Sequence, residues 1–162
     1  MPRRLLRDGR VVVDDWDYWQ EGADRSSGAL ILSFNDWLKD RDAWIARAGR
    51  LGVILPASHS VERLAPDIAH FELIGAEFSG PGEGRGYTHA RQLREQLKFR
   101  GELRATGYVR RDQLFFLARC GFNSFEMADQ ELDGASEAFN TFSAAYQVSN
   151  DAGLRTALQH RL

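Results

Sequence analysis

Three short apolar runs organise the centre of the chain: Phe71-Glu-Leu-Ile-Gly-Ala-Glu-Phe78, Glu102-Leu-Arg-Ala-Thr-Gly-Tyr-Val109 and Phe122-Asn-Ser-Phe-Glu-Met127. Two segments of helical length, Thr88 to Arg100 and Arg111 to Cys120, separate them. Strand-length apolar runs that alternate with helical segments are typical of βαβ units, in which the strands pair in parallel. The sequence therefore predicts an α/β protein built around these three strands.

The same alternation extends to both sides of this centre. Ala29–Phe34 and Leu51–Leu55 are predicted as strands, and the segment between them as a helix with Asn35 as its N-cap and Gly49 at its end. Ser60 is predicted to cap a short further helix. A last amphipathic helix is predicted over 138–146, where apolar residues recur at helical spacing. Together these elements make about five βα units.

The faces of the central strands distinguish two architectures. Glu77, Arg104, Thr106 and Glu126 fall on one face, and the opposite face is apolar. An open doubly wound sheet is covered by helices on both faces and is therefore apolar on both. The interior of a (β/α) barrel is instead filled by layers of inward side chains. The pattern favours a partial (β/α) barrel with a parallel sheet, and an open doubly wound sheet is the alternative.

Length and composition set the domain organisation and exclude several classes of protein. The 162 residues fit one domain, with a hairpin or arm at 1–28 around Asp8-Gly9 and a loose C-terminal tail at 148–162. A net charge of −2 argues against a nucleic-acid binder, and no apolar run is long enough to cross a bilayer. With one cysteine and no signal peptide, we expect a cytoplasmic protein without nucleic-acid or membrane partners.

The loop Gly80–Tyr87 is the strongest candidate for an anion site. Parallel α/β proteins bind ligands at the carboxyl ends of their strands, where this loop lies ahead of a helix. Backbone amides of such a loop favour an anion, so Gly84, Arg85, Gly86 and Arg91 are candidate anion-binding residues. The spacing matches neither a Walker loop nor the dinucleotide fingerprint. A turn that needs glycine for positive φ explains the same pattern.

The ends of the other strands supply further candidates. Arg110 and Arg111 open a helix, where positive charge is unfavourable, so they are predicted to bind the anion or an interface, or to pair with Glu77 or Glu126. Asp112 and Tyr108 are further pocket candidates at the same strand end. Glu77 and Glu126 are the candidate acid–base residues, also at strand ends.

Arg104 shares a face with Glu126, and the two are predicted to form a buried ion pair. Cys120 ends a helix, where the dipole opposes a reactive thiolate, so it is predicted to be a small buried residue. The four histidines show no metal-ligand spacing, and therefore no metal site is predicted. The sequence identifies no cofactor.

Three segments resemble a known bacterial family: Gly84-Arg-Gly-Tyr-Thr-His-Ala-Arg-Gln-Leu-Arg-Glu95, Gly101-Glu-Leu-Arg-Ala-Thr-Gly107, and the run from Arg111 to Glu126. The family comprises small proteobacterial proteins of unknown function, typically encoded beside the assimilatory sulfite/nitrite reductase haemoprotein. Its members are labelled oxidoreductases of sulfite reduction from gene neighbourhood, and it offers no established catalytic residues. A typical member has Gly-Asp-Val where this chain has Gly107-Tyr108-Val109. This change removes a carboxylate from the strand end.

The resemblance implies an accessory protein of assimilatory sulfite reduction that binds the reductase haemoprotein or a small anion. The residues themselves also allow a second hypothesis, a barrel-derived enzyme of oxidoreductase or lyase type with Glu77 or Glu126 as acid or base. Because a partial barrel exposes its sheet edges and polar inner face, a homodimer is expected.

Overall fold

The computed structural model describes residues 2–146. Eight strands lie in this range: β1 (Arg4–Arg7), β2 (Arg10–Val13), β3 (Asp17–Tyr18), β4 (Leu30–Ser33), β5 (Leu51–Leu55), β6 (Leu73–Phe78), β7 (Glu102–Gly107) and β8 (Ser124–Phe125). The α-helices are α1 (Phe34–Lys39), α2 (Arg41–Ala46), α3 (Arg85–Arg91), α4 (Leu114–Cys120), α5 (Asp129–Leu132) and α6 (Ala135–Tyr146). Turns of 3₁₀ helix occupy Val61–Arg63, Ala65–His70 and Arg111–Gln113, and a π-helical turn, Gln92–Gln96, continues α3.

The eight strands form a single curled sheet in the order β2-β1-β8-β7-β6-β5-β4-β3. From β3 to β8 every strand is parallel to the next one in the chain, and β1 joins β8 in the antiparallel sense. Each connection from β3 to β8 joins a strand to its immediate neighbour, so the chain moves across the sheet in one direction. Because such crossovers are right-handed, their helices all lie on one face. The predicted partial barrel with an N-terminal hairpin is therefore confirmed, and the doubly wound alternative is wrong.

The degree of curling follows from one short connection. Strands β2 and β3 lie at opposite edges of the sheet, yet only residues 14–16 connect them. Four extended residues span at most about 14 Å from Val13 to Asp17. In a flat sheet, seven strand spacings of about 4.8 Å would separate the edges by roughly 34 Å. The sheet must therefore bend until its two edges approach each other.

The main hydrophobic core lies between the convex face of the sheet and the helices. Strand residues Leu32, Val53, Ile74 and Leu103 are fully buried there. They alternate with inward-facing neighbours, as the two-residue period of a strand requires. The tryptophans of the first two helices join this core, with Trp37 packed edge-on against Phe71 at 4.7 Å.

Several local predictions are confirmed. Asp8 and Gly9 both have positive φ, 51° and 79°, which is the conformation of a two-residue hairpin turn. Strand β5 has the predicted bounds. Ser60 accepts a hydrogen bond from the amide of Glu62 at 3.2 Å and caps the first 3₁₀ turn. The predicted tail at 148–162 lies outside the described residues.

Two predicted helices differ in their bounds. The first begins at Phe34 and not after Asn35, because the Oγ of Ser33 accepts from the amide of Asp36 at 3.1 Å and acts as the cap. It also breaks at Asp40 into α1 and α2. The helix predicted from Thr88 to Arg100 begins three residues earlier, at Arg85, and changes to π geometry at Gln92.

One part of the concave face is filled by polar side chains around a fully buried arginine. The guanidinium of Arg104 donates to both carboxylate oxygens of Asp14 at 2.9 Å and to Glu102 at 2.9 Å. Arg3 also donates to Asp14, whose side chain is 1% exposed. Burial alone would raise the pKa of Asp14, but its bonds to Arg104 and Arg3 hold that pKa below the ordinary value. The predicted polar inner face is present around Arg104, whereas the part toward β4 is apolar, with Trp16, Ile31 and Leu73 buried there.

The network continues to the amino-terminal rim of the strands. Asp15 pairs with Arg50 at 2.8 Å and with Arg7 at 2.9 Å. Its hydrogen bond to Arg50 is the largest cause that lowers the pKa of Asp15 to about 2. Arg50 also lies over the ring of the buried Trp16, 4.4 Å from its centroid. Arginine side chains thus hold all three residues of the segment 14–16. Within the described residues, no helix is long and apolar enough to cross a membrane.

Replacing Arg104 by methionine should destabilise the protein by about 3–5 kcal/mol, because it leaves the buried carboxylate of Asp14 without its bidentate partner. Urea unfolding followed by circular dichroism measures the difference. The matched control is Arg4→Met, which removes an exposed pair with Asp129 at 3.5 Å and should cost at most about 1 kcal/mol. Equal losses in the two variants would contradict the central role of Arg104.

Candidate functional site

A cavity of about 330 Å³ lies at the carboxyl ends of β5 and β6. The loop after β5 forms one wall, and the beginning of α3 forms the other. We call it the Arg85 cavity. Its lining residues are Ala57, Ser58, His59, Ser60, Arg85, Thr88, His89 and Gln92. Its position agrees with the rule that ligands of parallel α/β folds bind at the carboxyl ends of strands.

One face of the helical segment 85–96 supplies half of this wall. Arg85, Thr88, His89 and Gln92 follow the spacing i, i+3, i+4 and i+7, which places them on the same side of a helix. The helix approaches β6 closely at Gly86, since a Cβ there would lie 2.5 Å from the ring of Phe78. Gly86 therefore brings the lining residues over the end of the strand.

The loop after β5 is held by its own contacts. The ring of His59 packs against Phe34 at 4.6 Å between centroids, and its Nδ1 lies 3.2 Å from the guanidinium of Arg63. The hydroxyl oxygen of Ser60 accepts the capping bond from Glu62. Its hydrogen is therefore available to a group in the cavity.

Arg85 supplies the positive charge of the cavity. Its guanidinium donates to the carbonyl oxygen of Ala57 at 3.3 Å, and within residues 2–146 it forms no ion pair. A guanidinium carries five N–H donors, so most of this donor capacity is not used by the protein. The nearby carboxylate of Glu83 accepts from the backbone amide of Arg85 at 2.9 Å, and this bond, with the charge of Arg85, lowers the pKa of Glu83.

His89 is the second unusual group of the cavity. The residue is 6% exposed, and its Nδ1 is buried with no hydrogen-bond partner among the described residues. Burial, and then the charge of Arg85, lowers the pKa of His89 below the ordinary value. A buried polar atom without a partner is uncommon in folded proteins, and it costs free energy unless a ligand or water satisfies it.

The other predicted anion-binding residues lie elsewhere. Gly84 precedes α3, and a Cβ added there would point into open space. Arg91 lines a different cavity, between α3 and α4. Arg110 and Arg111 lie within 3.6 and 3.7 Å of the carboxylate of Glu131 and are held against α5, so their predicted pairing with Glu77 or Glu126 is wrong. The structure thus separates the predicted cluster of arginines into three places.

The remaining candidates lie around the mouth and interior of the curled sheet. Glu77 is exposed at the end of β6. Glu126 accepts a hydrogen bond from the hydroxyl of Tyr18 and lies within 3.8 Å of Arg3. It also lies 3.8 Å from Arg104, so the predicted ion pair forms, but only Arg104 is buried, and Asp14 and Glu102 are its closer partners.

Three further predicted residues lie at the side of the fold or in its core. Asp112 is exposed and Tyr108 is half-buried. Cys120 is buried, as predicted.

Sequence reasoning missed His89 and the loop at 57–60. Metal-ligand spacing does not single out this histidine, and in the described part of the chain no group of three potential metal ligands is present. The available signal was the four-residue spacing from Arg85 to His89, which places both side chains on one helical face. No comparable signal identifies the loop residues, because the β5 loop and α3 meet only in the folded chain.

Residues 52–155 match the model of DUF934, a family of bacterial proteins of unknown function. The chain belongs to this family. The matched region includes both walls of the Arg85 cavity, from the end of β5 to the π-helical turn after α3. No curated protein matches the sequence.

The buried imidazole of His89 should make stability depend on pH. Because its pKa is lowered in the folded state, the unfolded chain takes up the proton first, near pH 6.5. Its contribution to the free energy of unfolding is therefore complete above about pH 6.5 and is lost as the pH falls below that value.

Urea unfolding of wild type and His89→Gln between about pH 7 and 5 tests this expectation. The variant should show a shallower fall in the free energy of unfolding than the wild type. The control, His70→Gln, removes an exposed imidazole and should keep the wild-type slope. A His89→Gln slope equal to that of the wild type would be evidence against a neutral buried imidazole.

Proposed function

We propose that this DUF934 protein binds a small oxyanion in the Arg85 cavity and acts as an accessory protein of assimilatory sulfite reduction. One observation carries the binding proposal: a guanidinium without an ion pair in the described chain lines the same cavity as a buried imidazole without a hydrogen-bond partner. An oxyanion in the cavity would accept charge-assisted hydrogen bonds from the guanidinium of Arg85 and would lie against the imidazole of His89.

The size and lining of the cavity favour a small ion. A volume of about 330 Å³ lies at the lower end of the range for small-molecule pockets, roughly 300–1,000 Å³. Ser58, Ser60 and Thr88 add hydroxyl groups to the wall, and none of the lining residues in the described chain is acidic. Sulfite and a phosphate group of a nucleotide share the required chemistry, a compact anion with several acceptor oxygens.

The resemblance of residues 84–126 to proteins encoded beside the sulfite/nitrite reductase haemoprotein supports the pathway. Sulfite is a substrate of that reductase, so a protein that binds sulfite beside it would act in the same reaction sequence. The haemoprotein is therefore the proposed partner, and no redox step is proposed for the residues of this chain.

Arg85→Ala should weaken anion binding by roughly 10- to 100-fold, since a hydrogen bond to a charged group contributes about 1.5–3 kcal/mol. Isothermal titration calorimetry with sulfite, and separately with sulfate, measures the affinity. The matched control is Arg110→Ala, which removes an arginine that pairs with Glu131 outside the cavity and should leave the affinity unchanged. Equal affinities of wild type and Arg85→Ala would overturn the binding site.

A second candidate function is a barrel-derived enzyme with Glu77 and Glu126 as acid and base. Both residues lie at the carboxyl ends of their strands, β6 and β8, on the inner face of the sheet. Two strand spacings, or about 10 Å, separate them. Turnover of sulfite by the purified protein with an added electron donor would favour this enzyme over the accessory role.

A homodimer is also proposed, with support from the sheet edges at β2 and β3. The polar inner face does not support it, because the chain's own Asp14 and Trp16 lie buried against that face. Sedimentation velocity at micromolar concentration should show a dimer, and a single monomeric species would contradict the proposal.

A further inference from the structure

A second and larger cavity, of about 550 Å³, lies on the outer surface between the packed helices α3 and α4. We call it the Phe116 cavity. Its lining residues are Tyr87, Thr88, Arg91, Phe116, Arg119 and Cys120. On α4 the three lining residues follow the spacing i, i+3 and i+4, so one face of that helix forms the wall.

An exposed aromatic ring marks this cavity. Phe116 is 58% exposed, although its helix buries Leu114 and Leu117 completely or nearly so. Full burial of such a side chain is worth about 1.5–3 kcal/mol, so the exposed ring is an unused source of binding energy. The ring of Phe115 packs edge-on against it, with 5.6 Å between the ring centroids.

A second ring and two cations complete the chemistry of the wall. Tyr87 is held edge-on by Phe78 at 5.3 Å between centroids. Arg119 lies 5.4 Å from the ring centroid of Phe115, beside Phe116. Arg91 adds another guanidinium, and none of the lining residues in the described chain is acidic. The wall therefore combines apolar aromatic surface with positive charge.

We propose that the Phe116 cavity binds a planar aromatic anion of the mononucleotide type. The base would stack on Phe116, and the phosphate would contact Arg91 and Arg119, whose guanidinium groups suit phosphate geometry. The volume is within the range of pockets for organic ligands of this size. The site is separate from the Arg85 cavity, with which it shares only Thr88 among the described lining residues.

Calorimetric titration with adenosine 5′-monophosphate tests the proposal on the full chain. We expect saturable binding that weakens at least about fivefold in Phe116→Ala, which removes the stacking platform, and also in Arg119→Gln. Adenosine and ribose 5-phosphate, which each lack one half of the ligand, should bind more weakly than the nucleotide. Phe116 is exposed, so its truncation should leave the fold intact, as a thermal melt can verify.

Two control variants test whether the nucleotide binds at the Phe116 cavity and not elsewhere on the chain. Leu38→Ala removes another exposed apolar side chain, on α1, and should not change nucleotide affinity. Arg85→Ala is the second control, because the Arg85 cavity also suits a phosphate group. No binding of the nucleotide at millimolar concentration, or full affinity in both Phe116→Ala and Arg119→Gln, would overturn the proposal. A loss seen with Arg85→Ala alone would also overturn it, because the phosphate would then lie in the Arg85 cavity.

Discussion

The connection of three residues between β2 and β3 is the constraint on which the rest of the structure depends. It links strands at opposite edges of an eight-stranded sheet, and it is too short for that sheet to be flat. The curling that results brings Asp14 and Trp16 into the concave interior. There Asp14 meets Arg104, which comes from the centre of β7, and the buried pair joins the N-terminal segment to the parallel strands.

This filled interior limits the places where a ligand could bind. In many parallel barrels the mouth formed by the strand ends is the site of chemistry. Here the interior is occupied by ion pairs and by a buried apolar cluster. Glu126, a candidate acid or base, is engaged by Tyr18, Arg3 and Arg104. The two cavities described above instead flank α3, one on the side of the β5 loop and one on the side of α4. Their chemistry differs, since Arg85 and His89 suit a compact oxyanion and Phe116 suits an aromatic ring.

Much of the fold was predictable from local patterns in the sequence. The hairpin at Asp8-Gly9, the bounds of β5 and the cap at Ser60 each depend on a few neighbouring residues. The polar inner face followed from the two-residue period of the strands alone. The predicted start of α1 was wrong because two nearby residues, Ser33 and Asn35, can each act as an N-cap. Ser33 acts as the cap in place of Asn35, since its hydroxyl lies within reach of the amide of Asp36.

The sequence by itself determined the class of fold, the order of its elements and the separation of a polar from an apolar face. Only the tertiary structure decided which distant groups meet. It paired Asp14 with Arg104, placed His89 beside Arg85 in one cavity, and separated Arg91 from both. The physical reason is that periodicity and turn chemistry act within a few residues, whereas these contacts depend on the curvature of the sheet and the register of its strands.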